Sequence, residues 1–367
     1  MPTNNPQLDS LLAAIGTNNV ADAHALLSAT PDLAASWKPI NEAAYLGRVE
    51  IVGLLADAGA DISSASPSGF TPLHRAIEPK DSVPRHDGHL AVVRLLVARG
   101  ADLTVRGSWH HSTSLLTSTM AGEPAVVAVL TAATFREREA DIFEASALGW
   151  ASRVEYLLHE DASLAAAQDS NTMTPLHYCA ASQLWRGSDD SAVGLLRCAQ
   201  LLLDAGALHS AIASLEGHSL PPLHWAPKSP VIARLLVENG ANPTDGLGSA
   251  MWEEAWDLAE FLLAHGADVN AREGARTILH ERLHWGKTKP AQWLLSHGAD
   301  PTLAASDGTT PLHAAVGRGL AAPTLAALAE AGADLYARDN AGNTPYDTAV
   351  QRNRAKAAAW LAGRMAG

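Results

Sequence analysis

Basic residues, cysteine and aromatic side chains are scarce in this sequence, and each scarcity closes off a class of function. Lys and Arg number 26 against 39 Asp and Glu, a formal net charge of −13 over 367 residues. A general nucleic-acid binder needs a basic face to neutralise phosphates, so no nucleic-acid partner is expected, whereas a basic protein partner is permitted. Two cysteines, Cys179 and Cys198, make no disulfide framework and show no metal-ligand pairing with a nearby histidine. A reducing compartment is the natural reading. The longest apolar stretch, Ala125 to Ala133, is far short of the ~20 residues a membrane span requires. The opening Met-Pro-Thr-Asn-Asn-Pro lacks the basic start and apolar core of a secretory signal. A soluble, cytoplasmic monomer with no membrane association is therefore expected.

Phosphate-cradling glycine loops and nucleophile elbows are missing too. The adjacent His110 and His111, with His218 or His284 far along the chain, have none of the local spacing of a structural zinc site. No catalytic motif, cofactor or metal site is read from the sequence.

What is present is alanine, leucine and repetition. Hydrophobic residues make up 47% of the chain but aromatics only 5%, which favours helix over strand. Two phrases recur. Thr-Pro-Leu-His stands intact at Thr71–His74, Thr174–His177 and Thr310–His313, with variants at Pro221–His224, Thr277–His280 and Thr344–Asp347. Gly-Ala-Asp or a near relative begins at Gly59, Gly100, Gly206, Gly240, Gly266, Gly298 and Gly332, usually just after a leucine pair. Thr caps a helix N-terminus and Pro occupies a first-turn position that needs no N–H. The glycine supplies a left-handed stop to a second helix. Neither helix can bury its apolar stripe alone, so neighbouring units must stack.

These phrases resemble the ankyrin repeat, whose period is about 33 residues. The starts at Thr277, Thr310 and Thr344 are 33 and 34 apart. Degenerate starts at Lys38–Asn41, Thr113–Leu116 and Ala140–Phe143 fill the gaps, and the resemblance runs from about Leu8 to Leu361. It implies an all-α solenoid of roughly ten or eleven helix–turn–helix units with short finger loops. The expected organisation is one domain over 1–367, with an N-terminal cap at 6–36, repeats at 37–340 and a C-terminal cap at 341–363.

The pattern breaks in two ways. Thr71 to Leu95 and Thr174 to Leu201 take 24 and 27 residues where Thr277 to Trp293 takes 16, so both units carry insertions between their helices. The second insertion, around Gln183 to Leu195, contains Trp185 and Arg186. Loop length is cheap in entropy, which allows neutral drift, yet long loops in compact folds are disproportionately functional. The central units, 211–270, are instead compressed. Pro227 and Pro230 cut one first helix short, and the unit from Leu247 to Leu263 has no capping phrase. A bend or recess is expected there.

In the ankyrin family the first helices and fingers line the concave side and carry the binding residues. The exposed positions fall seven and eight residues after the motif Thr and just before it. That register selects Tyr45 and Leu46, Met120 and Ala121, His284 and Trp285, and Gly317 and Arg318, with Trp109, His110, His111, His218 and Arg276 on fingers. Adding the insertion and the irregular units gives Trp185, Arg186, Trp225, Trp252, Glu253, Glu254 and Trp256. Ten Trp against four Phe is an inverted ratio for a core, and Trp and Arg dominate interface hot spots. The bland reading stands beside this one. His74, His177, His224, His280 and His313 belong to the repeat phrase and His265 and His297 to the glycine turn, so those seven are read as structural. Trp37, Trp293 and Trp360 are read as core, and Trp256 fits either role.

Two functions fit. The first, which the resemblance implies, is a protein-interaction module docking a partner on the aromatic, His-rich concave face. The net charge favours a basic partner, one concrete version being an immunity-type protein that neutralises a basic toxin. The second is an unusual enzyme or small-molecule binder in the central recess. There His111 or His284 beside Glu253 or Glu254 would do general acid–base chemistry of lyase, isomerase or hydrolase type.

Overall fold

The computed structural model describes residues 5–78, 83–107, 111–136, 138–215 and 218–366. The chain packs as two compact units, Met1–Pro222 and Leu223–Gly367, here units 1 and 2.

Among the described residues, unit 1 holds six helix pairs. They are α1 (Pro6–Thr17) with α2 (Val20–Ala29), α3 (Trp37–Tyr45) with α4 (Val49–Asp57), and α5 (Pro72–Ile77) with α6 (Asp87–Ala98). Next come α7 (Ser114–Ala121) with α8 (Pro124–Thr134), α9 (Ile142–Leu148) with α10 (Ala151–Glu160), and α11 (Pro175–Ala181) with α12 (Asp189–Asp204). A finger hairpin, β1 (Ala213–Leu215) against β2 (His218–Leu220), closes the unit.

Among the described residues, unit 2 holds five pairs. They are α13 (Pro222–Trp225, beginning at the boundary) with α14 (Pro230–Glu238), α15 (Thr244–Trp252) with α16 (Trp256–Ala264), and α17 (Ile278–His284) with α18 (Thr288–Ser296). The last two are α19 (Pro311–Arg318) with α20 (Ala322–Glu330), and α21 (Pro345–Gln351) with α22 (Ala355–Met365). A two-residue hairpin, β3 (Arg272–Glu273) with β4 (Arg276–Thr277), precedes α17. The described residues thus form a helical repeat protein whose only named strands lie in finger turns.

Local chemistry explains the repetition. Oγ1 of Thr71, Thr113, Thr277 and Thr344 each accepts a backbone N–H three residues on, ending the extended finger and starting a first helix. The glycine after each of seven second helices, Gly59 to Gly332, adopts φ between +82° and +99°, which a side chain would oppose. Cores are leucine-rich: Ile51, Leu55 and Leu96 in unit 1, and Leu236, Leu262, Leu294 and Leu328 in unit 2, are fully buried. The motif histidines tie one repeat to the next. His74 Nε2 donates to Ser112 O at 3.1 Å, His177 Nε2 to Leu220 O at 3.1 Å and His313 Nε2 to Asn343 O at 3.0 Å. Their Nδ1 atoms bond the capping threonines at 2.7–2.9 Å.

The expected compression is visible in unit 2, where α13 is only four residues long. Pro227 and Pro230 follow it, and α14 starts at Pro230, where the missing N–H costs nothing.

Candidate functional site

The site in unit 2 begins with an exception to the repeat. Five residues after the capping Thr, other copies place Ala76, Cys179 or Ala315, small residues against the neighbouring first helix. Here the position is Arg282, and it is 4% exposed. Room comes from α15, where Gly248 lacks a side chain. A Cβ on Gly248 would collide with the Glu273 carboxylate. Arg282 donates NH1 to Gly248 O at 2.9 Å and pairs through NH2 with Glu273 on the β3–β4 hairpin. Burial lowers its pKa from the ordinary value while Glu273 and Glu281 oppose that shift. A buried cation of this kind persists only when paired.

Above the guanidinium lies an aromatic platform. The Trp252 ring has Arg282 Cζ 5.1 Å and Lys287 Nζ 4.8 Å from its centroid, both cation–π contacts. Trp285, from the next repeat, meets Trp252 edge to face with centroids 6.0 Å apart. The two remain 40% and 56% exposed. Trp285 is held by Nε1 donating to Glu281 Oε2 at 3.2 Å, and Glu281 accepts from Arg276 NH1 at 3.1 Å through its other oxygen. His284 stands edge-on to Trp285 at 5.7 Å. Of the residues selected from sequence, Trp252, Arg276, His284 and Trp285 therefore come together.

The others do not join this platform. Glu253 pairs with Lys228 at 3.2 Å and Glu254 with Lys289 at 3.9 Å, so lysines rather than His284 engage these carboxylates. Trp225 lies edge-on to His224 at 6.0 Å. Trp256 packs with Trp293 on the second helices at 6.2 Å, where Trp293 also stacks on His297 at 3.8 Å. His111 belongs to unit 1, with φ of +45° and a carbonyl that accepts from Arg106 at 3.4 Å. His218 contributes backbone pairing to β2; its side chain, like Trp109 and His110, lies outside the described residues.

Met120 requires a correction. Expected on an open face, it is 6% exposed, because the insertion after α11 folds over the end of α7. Gln183 donates its backbone N–H to Thr119 O at 2.9 Å and its side-chain amide to Met120 O. Trp185, in that insertion, is half-buried, and the exposed Arg186 lies over its ring at 5.2 Å.

Sequence reasoning passed over Arg282, Glu281, Lys287 and Gly248. Arg282 was findable, since a long cation where its counterparts are alanine or cysteine breaks the repeat. Among the described residues no group of three or more His, Cys, Asp or Glu side chains is placed to hold a metal. No described helix is long and apolar enough to cross a membrane. A cleft of about 140 Å³ near the N-terminus, lined by Asn5, Leu8, Thr30, Asp32, Leu33 and Ser36, holds none of the selected residues.

Comparison with known proteins follows the same lines. The sequence profile of ankyrin repeats (3 copies) matches residues 10–107 and 279–366, just over half of the chain. The chain belongs to the ankyrin-repeat family. It is 36% identical over 128 residues to cyclin-dependent kinase 4 inhibitor B of Homo sapiens, covering 34% of this chain and 91% of that protein. It is 38% identical over 100 residues to ankyrin repeat and SOCS box protein 11 of Danio rerio, covering 25% of this chain and 34% of that one. The crystal structure of the human ASB11 ankyrin repeat domain overlaps 62% of this chain and 98% of its own, at 22% identity and a TM-score of 0.47.

Proposed function

We propose that the chain is a protein-binding module whose docking centre in unit 2 is the Trp252–Trp285 platform, and whose partner is a basic protein. The observation that carries this reading is the pair of large aromatics left 40% and 56% exposed while Trp252 is held by cation–π contacts and Trp285 by a hydrogen bond to Glu281. Exposed Trp pinned by a charged frame is the composition of an interface hot spot, since little side-chain entropy remains to be lost on binding. Arg276, Lys287 and Glu281 form a polar rim able to exclude water around the rings. The relatives support an interaction role, one of them being named as an inhibitor of a kinase. The formal charge of −13, of which −11 lies in unit 1, favours long-range steering of a basic partner toward the chain.

Site-specific photo-cross-linking from the exposed position 284 beside Trp285, with exposed Tyr156 of unit 1 as control, tests the proposal. A protein partner captured from 284 and absent from 156 should bind Trp285→Ala about 30-fold more weakly, as expected for a hot-spot loss of about 2 kcal/mol. Raised salt should slow its association. Unchanged affinity for Trp285→Ala would remove the platform from the interface.

A further inference from the structure

The last three first helices of unit 2 stack in order, α17 on α19 and α19 on α21. Residues at one register, counted from the capping Thr277, Thr310 and Thr344, therefore stand side by side. Seven to ten residues after each cap the chain reads His284–Lys287, Gly317–Leu320 and Gln351–Arg354. These twelve residues hold four cations, Lys287, Arg318, Arg352 and Arg354, and no carboxylate. In unit 1 the matching stretches 120–123, 148–151 and 181–184 hold no Lys or Arg. The row is a local inversion of charge in a chain whose net charge is −13.

Its arginines are seated rather than free. A Cβ on Gly286 would lie 3.4 Å from Arg318 Nε, and one on Gly317 would lie 3.4 Å from Arg352 NH1. Each guanidinium thus leans over a bare glycine at the end of the preceding first helix. Arg354 lies against Gly319 in the same way and donates Nε to Gly317 O at 3.3 Å. All three arginines are nonetheless exposed. Among the described residues no carboxylate forms an ion pair with any of the four cations. Glu281, the acid at the adjoining register, is already engaged by Arg276 and Trp285, and its counterparts are Ala314 and Thr348. Like charges gathered without a counter-charge repel one another, and a ligand bearing carboxylates relieves that repulsion.

We propose that Arg318 and Arg352, flanked by Lys287 and Arg354, bind an acidic protein segment in the polyproline II conformation, with a carboxylate at every third residue. Packed helices lie about 8–10 Å apart, which sets the step from one arginine to the next. A polyproline II chain has three residues per turn and rises about 3.1 Å per residue, so every third side chain returns to one face about 9 Å further on. A β-strand alternates faces and offers no such match. The planar guanidinium fork, already held against backbone, fits a carboxylate and loses little freedom on binding it. The segment's charge is local, so this contact goes beyond the Trp252–Trp285 reading, does not rest on it and holds whatever the net charge of the partner.

Fluorescence polarisation of the full chain at low ionic strength, with a labelled peptide of three Asp-Ala-Pro repeats, tests the row. The spaced peptide is expected to bind at least about fivefold tighter than a peptide of the same composition with its three aspartates adjacent, and an Asn-Ala-Pro peptide is expected not to bind. Arg318→Gln combined with Arg352→Gln should weaken binding of the spaced peptide about tenfold at an unchanged melting temperature. Lys356→Gln combined with Arg364→Gln removes the same charge from exposed positions of the second helix α22 and should change affinity by less than about twofold. No binding of the spaced peptide, equal affinity for the spaced and adjacent peptides, or equal weakening by the two double variants would overturn the proposal. Tighter binding of a single-stranded oligonucleotide of the same charge would overturn the assignment of a protein ligand.

Discussion

Units 1 and 2 are built from the same repeated phrase yet present different surfaces. Unit 1 carries 13 Lys and Arg against 24 Asp and Glu, a formal charge of −11, whereas unit 2 carries 13 against 15 and is near neutral at −2. Unit 1 covers the ends of α7, α9 and α11 with its own insertion. Unit 2 leaves the ends of α15 and α17 open and crowns them with tryptophan. Their inner joints differ as well. His177 has both ring nitrogens engaged, at 2.8 Å to Thr174 Oγ1 and 3.1 Å to Leu220 O. His280 has a buried Nδ1 without a partner and a 3.5 Å approach to Thr309. The lesson is that the capping phrase specifies the helix pair, while departures from the phrase specify what the pair can touch.

The largest effect that would sharpen this contrast is acid sensitivity. Burial pushes the His74 and His177 imidazoles down to about 4, against the opposing carbonyls of Ser112 and Leu220. In unit 2 burial, aided by Arg276, does the same to His280. A folded-state pKa below the unfolded value means that the unfolded chain takes up the proton first. Stability is then full above about 6.5, falls as pH drops toward 4 and levels off below it. Each such His contributes about 3 kcal/mol to that fall. Urea denaturation at pH 7 and pH 4 should show His177→Asn losing about 3 kcal/mol less than the parent chain. An identical pH slope in the two proteins would contradict the burial of a neutral His177.

Next in size is Arg282→Ala. It restores the small residue of the other repeats but takes the guanidinium from Glu273 and leaves Trp252 with Lys287 as its remaining cation contact. Because Glu273 is partly exposed, the expected loss is about 2 kcal/mol, below the full cost of breaking a buried pair. Trp252 emission should shift as one of its two cation contacts disappears. A gain in stability would show that Arg282 is tolerated for binding at the expense of folding.

The smallest effect compares the two inner joints directly. His177→Ala removes bonds that His280→Ala does not, so it should cost about 1 kcal/mol more in the same denaturation assay. Equal costs would mean that the His280 site is better satisfied than its geometry indicates.

The fold was legible in the sequence because its determinants are local. A Thr cap, a first-turn Pro and a left-handed Gly each act within one helix turn, so helix pairs could be placed without knowing what they pack against. Trp285 was legible for the same reason, since it lies eight residues after Thr277 in a regular unit. Trp256 fitted either role because its unit has no capping phrase from which to count, and its ring contact is with Trp293 on the next second helix. Met120 sits at the correct register, but its burial depends on where an insertion more than 60 residues later folds. The Arg282–Glu273 pair depends on a glycine one repeat away. Tertiary partners of that kind leave no local periodicity to read.

The central claim is that a tryptophan platform left open in unit 2, rather than the covered face of unit 1, makes first contact with a partner. Titration of the partner captured from position 284 against Trp285→Ala and Trp185→Ala tests it most directly. The account predicts about 30-fold weaker binding for Trp285→Ala at an unchanged melting temperature, and affinity for Trp185→Ala equal to or above that of the parent chain. Binding abolished by Trp185→Ala and untouched by Trp285→Ala would contradict it.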